Sequence, residues 1–335
     1  MSRIRWGLLG AGRISGWFAT GLSVLPDDAE LYAIASRDLN KAQAFAEKFH
    51  VTTAYGDYES MIRDPNVDII YVGTPIACHY ENVRQCLLGG KNVLCEKAFT
   101  VNAAQARELQ ELAQARGLFL MEGMWTKCQP VFRTIHQWVK DGVLGEIQAV
   151  SCNFFTKTGA GHRLYKHELA GGALLDLGVY PVMYACSLLG YKPEEIRSSA
   201  AILAPKRVDC MDSIQLLYPG GRYANITCGL GCDKIHSLYI QGTKGRIYLN
   251  AESFVEAQHV TAYDFENQVL ASFEEPFRAN GFEYEAAAVM QVLREGKTGT
   301  DLVPMDETIA VLDILDACRR QWNFRFDCEG SQMPQ

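Results

Sequence analysis

Three places in this chain have residue types and spacings that could do chemistry. The first is Glu96-Lys97, which follows the apolar run Lys91-Asn92-Val93-Leu94-Cys95. Charged side chains at the carboxyl end of a buried strand are expected to face a cleft rather than the core, and a lysine there could sit beside a bound ligand. A surface ion pair is the plain alternative. The second is Tyr180, four residues after Asp176, so that a helix would put both on one face. A free tyrosine titrates near ~10 and exchanges protons at neutral pH only when a cation lies close. Lys97 is such a cation. On these residues alone, Tyr180 as a packed helix tyrosine and Asp176 as an N-cap stay open.

The third place is the stretch Trp6 to Ser15. An apolar run, Ile4 to Leu9, ends in Gly10-Ala11-Gly12-Arg13-Ile14-Ser15, and an amphipathic segment to about Leu22 follows. That order reads strand, tight turn, helix. Gly10 can take dihedrals other residues avoid, and Gly12 leaves room for a pyrophosphate to reach the N–H groups at the helix start. Ser15 stands where glycine or alanine is usual. Repeated strand–helix units after the turn favour a dinucleotide-binding reading over a merely glycine-rich turn.

Those units are what must position the three places. Leu31 to Ala35 is a strand that ends in Ser36-Arg37-Asp38, where a ribose-binding acid is expected. Ser36 and Arg37 offer a hydroxyl and a guanidinium, which suit a 2′-phosphate and therefore NADP. If Asp38 takes the ribose instead, NAD is favoured. A helix is expected from Asn40 to Phe49 with Asn40 as cap, and a short one from Asp57 to Arg63. Val67 to Val72 is a strand covered on both faces; Gly73-Thr74-Pro75 closes it, and His79 opens the next helix, within reach of a cofactor or as a simple cap. A helix from Asn102 to Arg116 and a strand from Leu118 to Met121 complete a first domain, residues 1–123.

Residues 124–335 change pattern. A helix from Pro130 to Lys140, a strand from Ile147 to Thr156 and a loop to His167 lead into Gly171-Gly172 and an apolar helix ending near Gly190. Strands are expected at about 196–203, 211–218, 222–229, 236–242 and 246–250, then helices at about 284–295 and 306–320 with a frayed tail after Phe326. The fold class is α/β: an N-terminal Rossmann domain plus a C-terminal α+β domain with a large, mostly antiparallel, open-faced sheet. Alternation such as Ser213-Ile214-Gln215-Leu216 leaves one sheet face uncovered in a single chain, which leads us to expect a homodimer.

The 335 residues carry a net charge of −7, with 48% hydrophobic and 21% charged residues. That balance argues against nucleic acid or an anionic membrane surface as the main partner. No apolar run reaches the ~18–20 residues of a membrane span. The N-terminal residues run straight into the first strand, so no signal peptide is expected. Of the eleven cysteines, which include no C-x-x-C pair, most are expected to be buried free thiols, which fits a reducing cytoplasm, and no metal site is expected.

Taken in order, Gly-Ala-Gly-Arg-Ile-Ser, Ser-Arg-Asp, Gly-Thr-Pro-x-x-x-His, Gly-Lys-Asn-Val-Leu-Cys-Glu-Lys and Gly-Gly-Ala-Leu-Leu-Asp-Leu-Gly-Val-Tyr resemble the glucose-fructose oxidoreductase / inositol dehydrogenase / MocA (Gfo/Idh/MocA) family over nearly the whole chain. Within it, Ser36-Arg37, Gly117 to Glu122, Met124-Trp125-Thr126 and Tyr180 look most like the dimeric dihydrodiol dehydrogenases, which are also NADP-dependent D-xylose dehydrogenases. The resemblance implies a hydride transfer between NADP, with NAD as the alternative, and a sugar or cyclic trans-dihydrodiol. It implies Lys97, Asp176 and Tyr180 as catalytic residues. Gly10, Gly12, Arg13, Ile14, Ser36, Arg37, Thr74, Pro75, His79, Glu96 and Lys97 would hold the cofactor, and Trp125, Phe154 and Arg163 the substrate, with His162 and Tyr165 beside Arg163. Ala98 departs from the proline the family has after the lysine. An NAD-dependent inositol or sugar dehydrogenase and a nucleotide-binding sensor without turnover are the competing functions.

Overall fold

The computed structural model describes residues 3–159, 161–249 and 253–329. In chain order its elements are β1 (Ile4–Leu9), α1 (Arg13–Leu22), β2 (Ala29–Ala35), α2 (Leu39–Phe49), β3 (Thr53–Tyr55), α3 (Tyr58–Arg63), β4 (Ile69–Val72), α4 (His79–Leu88), β5 (Asn92–Glu96), α5 (Ala103–Arg116), β6 (Leu120–Gly123) and α6 (Pro130–Lys140). Then follow β7 (Ile147–Thr156), a π-helical turn (Leu174–Gly178) running into α7 (Val179–Leu189), β8 (Glu195–Leu203), β9 (Val208–Leu217), β10 (Tyr223–Leu230), β11 (His236–Gly242), β12 (Arg246–Leu249), β13 (His259–Tyr263), β14 (Val269–Glu274), α8 (Phe282–Arg294) and α9 (Met305–Gln321). They form two compact units: Met1–Thr100, Ala104–Cys128 and Phe277–Thr308 in the first, Val101–Ala103, Gln129–Pro276 and Ile309–Gln335 in the second.

The first unit is built on a six-stranded parallel sheet of order β3-β2-β1-β4-β5-β6. The order reverses between β1 and β4, and the carboxyl ends of those two strands mark the switch point where open α/β sheets bind ligands. Strand β4 is buried at every position, as its unbroken apolar sequence requires when helices cover both faces. Phe18 of α1 stacks on Tyr71 of β4 at 3.9 Å and tilts against Trp6. A glycine lets α8 join this layer: a Cβ on Gly21 would lie 2.7 Å from the Cβ of Phe282.

The second unit is built on an eight-stranded sheet of order β14-β13-β12-β11-β7-β10-β9-β8. All its pairs are antiparallel except β7 with β10. Val150, Cys152, Phe154, Ile214, Leu216, Ile226, Leu238 and Ile240 bury one face, and α7 packs on it. The other face carries Ser151, Asn153, Ser213, Gln215, Asn225, Tyr239 and Tyr248, which the two-residue period of a strand places together.

Several expectations need correction. The cap of α2 is Asp38, not Asn40, because the Asp38 carboxylate accepts from the N–H groups of Asn40 and Lys41. Strands β3, β13 and β14 were not anticipated; each is short, and β14 is exposed or half-buried throughout. No unbroken apolar run reaches the length of a membrane span, but the segment His167–Leu189, Glu168 and Asp176 included, is long and apolar enough to cross a membrane, with a window of mean hydropathy 1.4. That window is 89% buried, so core packing accounts for its composition. The chain is not frayed directly after Phe326: Glu329 is buried and paired with Arg319. Asn250, expected to end a strand, Ala160 in the long loop, and residues 330–335 lie outside the described residues.

Candidate active site

In the first unit the glycine turn connects β1 to α1. Gly10 has φ +104, and a Cβ there would press on the Gly73 carbonyl and Thr74 at 3.2 Å, so glycine is required twice over. The helix start is left open: Gly12 is its N-cap, no side chain caps it, and no acid lies in the first turn. Unused N–H groups at a helix start without a competing carboxylate fit a pyrophosphate. Gly12 and Arg13 are exposed there, and the Arg13 guanidinium leans over the Trp17 ring at 5.3 Å. Ile14 and Ser15 face inward by degrees. Ser15 is fully buried and donates its hydroxyl to the Gly10 carbonyl at 2.5 Å. A Cβ on Gly73 would lie 2.5 Å from that oxygen, so the serine ties the turn beside β4.

At the end of β2, Ser36 is buried and Arg37 is exposed. The Ser36 hydroxyl accepts from the Asp38 N–H at 3.3 Å. The Asp38 carboxylate is engaged by Asn40 and Lys41 as a helix cap. Beside the Arg37 guanidinium lies the Tyr58 hydroxyl, which sequence reasoning missed; burial pushes its pKa up and the Arg37 charge opposes that.

At the ends of β4 and β5, His79 does not present a free ring. Its Nε2 meets the Thr74 carbonyl at 2.8 Å, and its Nδ1 meets the carbonyls of Ala98 and Phe99 at 3.0 and 3.2 Å. It therefore ties Thr74-Pro75 to the segment after Lys97. Asn82 donates to the Thr74 hydroxyl at 2.9 Å. Lys97 is half-buried, and its peptide bond to Ala98 is cis. Glu96 does not open onto a cleft as expected. It is buried, because Tyr71 on the neighbouring strand donates to it at 2.6 Å and the Lys97 N–H at 3.2 Å.

Two further carboxyls behind this pair escaped the sequence reading. Glu122 accepts from the Phe99 N–H and the Thr308 hydroxyl. Burial raises its pKa, while those bonds and the nearby Lys127 and Lys97 charges hold it down. Glu285 of α8 is fully buried without a hydrogen-bond partner for either oxygen among the described residues. Burial first, then the Glu96 charge, push its pKa far up, so it stays neutral. Trp125, a candidate substrate wall, is buried and stacks on Phe282 at 4.5 Å.

In the second unit, Asp176 sits inside the π-helical turn and Tyr180 in the first turn of α7. Arg163 donates to Asp176 at 2.7 Å, so two residues thirteen apart in sequence share one spot. The Tyr180 ring meets the buried Phe154 edge-on at 5.8 Å, and Phe154 in turn packs against His236 and Phe254. His162 turns back to its own loop, accepting from the Leu164 N–H, and Lys206 lies over the Tyr165 ring at 4.3 Å. Among the described residues no group of three His, Cys, Asp or Glu side chains could hold a metal ion.

A Rossmann sheet with an uncapped glycine turn at its switch point, joined in one chain to an open-faced antiparallel sheet, defines a class: the NAD(P)-dependent oxidoreductases of two-unit build. Residues 4–124 match the oxidoreductase family with NAD-binding Rossmann fold, and residues 132–248 match the GFO/IDH/MocA C-terminal domain. The chain belongs to the Gfo/Idh/MocA family. It is similar to the trans-1,2-dihydrobenzene-1,2-diol dehydrogenase of Mus musculus, 35% identical over 324 residues that cover 95% of this chain and 96% of that one. The Homo sapiens enzyme of the same name is 33% identical over 322 residues, 95% and 96% of the two chains. Among solved structures, KijD10, a 3-ketoreductase from Actinomadura kijaniata in complex with NADP and TDP-benzene, superposes with a TM-score of 0.84 at 27% identity, over 95% of this chain and 98% of that one. Levoglucosan dehydrogenase in complex with NADH, 16% identical with a TM-score of 0.85 over 95% and 97% of the chains, shares the fold.

Proposed function

We propose that the protein is an NADP-dependent dehydrogenase that moves a hydride between the cofactor and a hydroxyl or carbonyl carbon of a D-xylose-like aldose or a cyclic trans-dihydrodiol. The observation that carries the cofactor choice is the end of β2. Its acid, Asp38, is turned away into a helix cap, while Arg37 stays exposed beside Ser36. A capped carboxylate is a poor ribose acceptor, and an exposed guanidinium is a good phosphate donor. The names of the similar dehydrogenases and the NADP of the ketoreductase support the substrate class and the cofactor.

When bound, the nicotinamide takes or gives the hydride. The chain then has to move the hydroxyl proton. Tyr180 carries that proton in this reading, Lys97 supplies the positive charge a phenol needs at neutral pH, and Asp176, itself held by Arg163, orients. Trp125, Phe154 and Arg163 are the proposed substrate contacts, and Thr74, Pro75, His79 and Glu96 shape the cofactor's place from the strand ends.

The test is a screen of pentoses, hexoses, inositols and dihydrodiols with NADP and NAD, read by absorbance of the reduced cofactor. The expected result is turnover of an aldose or dihydrodiol with NADP. Arg37→Ala should weaken NADP by about 10- to 100-fold, the ~1.5–3 kcal/mol of a charged hydrogen bond, and leave NAD nearly unchanged. A wild type that prefers NAD overturns the cofactor assignment. Tight NADP binding without turnover of any substrate favours the sensor.

Two finer features belong to the same proposal. None of the eleven cysteines is joined in a disulfide, which suits a reducing cytoplasm. The uncovered face of the second unit's sheet, with Met211, Tyr223 and Tyr248 exposed on it, is suited to a second copy of the chain. Light scattering at micromolar concentration should give the mass of a dimer or a multiple of it, and a single-chain mass would exclude this.

A further inference from the structure

The sheet of the second unit holds two carboxyls that the proposed chemistry does not use. Asp209 and Asp212 are both on β9 and both buried, although residues three apart on a regular strand point to opposite faces. A bulge brings them together: Ala201 pairs with Met211, but Ile202 pairs with Asp209, so Cys210 is the extra residue. Beyond it, Asp212 alternates inward with Ile214 and Leu216. The bulge turns Asp209 inward too, against Asp212.

Directly above them runs the turn that carries Asp176. The Asp209 carboxylate accepts from the Leu174 N–H at 2.6 Å and is faced by the Ala173 N–H as well. Gly172, at φ +131, makes way for it; a Cβ there would lie 2.1 Å from Asp209 Oδ1. Asp212 accepts from the Cys228 thiol at 3.4 Å, and a Cβ on Gly178 would lie 3.1 Å from that sulfur. The cluster thus underlies both ends of Leu174–Gly178.

Two carboxyls in contact in a dry interior cannot both be ionised. Asp209 has the main-chain donors and is the anion. Asp212 has the Cys228 thiol and Asp209 itself but no main-chain donor among the described residues, and burial followed by the Asp209 charge holds its pKa far above the usual carboxyl range. Among the described residues, three thiols face the pair, of Cys228 on β10, Cys210 in the bulge and Cys318 on α9.

We propose that Asp209 and Asp212 share one proton beneath the Leu174–Gly178 turn and act as positioning residues that set the place of Asp176 and Tyr180. The inference rests on the catalytic roles proposed for those two residues.

Asp212→Asn replaces the acid O–H by an amide N–H of similar size, so the pair keeps one charge and one donor. Asp209→Ala leaves the Leu174 N–H without its acceptor. A misplacement of ~1 Å can cost ~100-fold in rate. Asp209→Ala should therefore lower kcat by roughly 10- to 100-fold with NADP affinity unchanged, while Asp212→Asn keeps most of the turnover. The proton is read separately by thermal unfolding from about pH 5 to pH 9, above the ordinary carboxyl range. There the unfolded chain has released the proton that folded Asp212 keeps. Wild-type stability falls as pH rises until the raised pKa is passed. Asp212→Asn lacks that fall, so its Tm gains on wild type as pH rises. A Tm gap that stays flat with pH overturns the shared proton, and wild-type kcat in Asp209→Ala overturns the positioning. If Asp209→Ala does not fold, the Asp212→Asn series still decides. If Tyr180→Phe retains turnover, the catalytic reading fails while the Tm series still reports on the pair.

Discussion

Tyr180→Phe is expected to lower kcat at least ~100-fold, the lower range for losing a general acid or base. The substitution removes one phenolic oxygen and nothing else. The Tyr180 ring is buried with Phe154 against its edge, and a phenylalanine keeps that packing. The fold should therefore survive, and cofactor affinity, which we propose rests on the first unit's glycine turn and Arg37, should stay near wild type. Steady-state rates with the best substrate of the screen, and cofactor titration by fluorescence, separate the two. Near-normal turnover would exclude the phenol as proton carrier and move the role to Lys97 or a bound water.

Lys97→Met keeps an unbranched side chain one atom shorter and removes its charge. A cation at ~4–6 Å favours the ionised form of an acid by ~1–3 pKa units. In the role proposed for Lys97, removing its charge returns the phenol toward ~10. In the direction of alcohol oxidation, where the phenol must accept a proton, kcat at pH 7 should fall by about 10- to 1,000-fold. The rising limb of the pH profile should move to higher pH. The sign follows from the charge: losing a cation raises the pKa, so more base is needed to reach the same ionised fraction. The variant has a second effect inside the first unit. Lys97 is one of two lysine charges that oppose the burial of Glu122, so the Glu122 pKa should rise further. A pH profile that does not move would separate Lys97 from the tyrosine and leave it a binding role.

Much of this architecture is legible in the residues, because its strongest signals are local. The Gly10–Gly12 turn, the unbroken apolar run of β4 and the alternation of β9 each state their structure within a few positions. The site was less legible where geometry joins distant residues. Asp38 was weighed as a ribose acid and is a helix cap, since its choice depends on which N–H groups α2 leaves open. Ser15 looked like an imperfect match and supplies a hydroxyl tie to Gly10. His79 was read from its place at a helix start, but its role depends on the carbonyls of Ala98 and Phe99, nearly twenty residues on. Asp209 was invisible because one extra residue in a strand reverses which side chains face inward, and no composition signal marks a bulge. Nothing local says that α8 belongs with the first sheet rather than with the strands before it.

That return of α8 orders the protein's birth. Phe282 closes over Gly21 and meets Phe18 edge-on at 6.3 Å, and Trp125 stacks on the same ring. All three wait for a residue made after the whole eight-stranded sheet has been translated. Chains leave the ribosome N-terminus first at ~5–20 residues per second. The nucleotide-binding unit, begun first, therefore spends several seconds without the Phe282 contact to Phe18 and Trp125 while strands β7 to β14 are synthesised. It is completed only when residues 277–308 emerge. A nascent chain stalled before that point presents an aromatic surface, which a chaperone or a protease would meet before any cofactor is held.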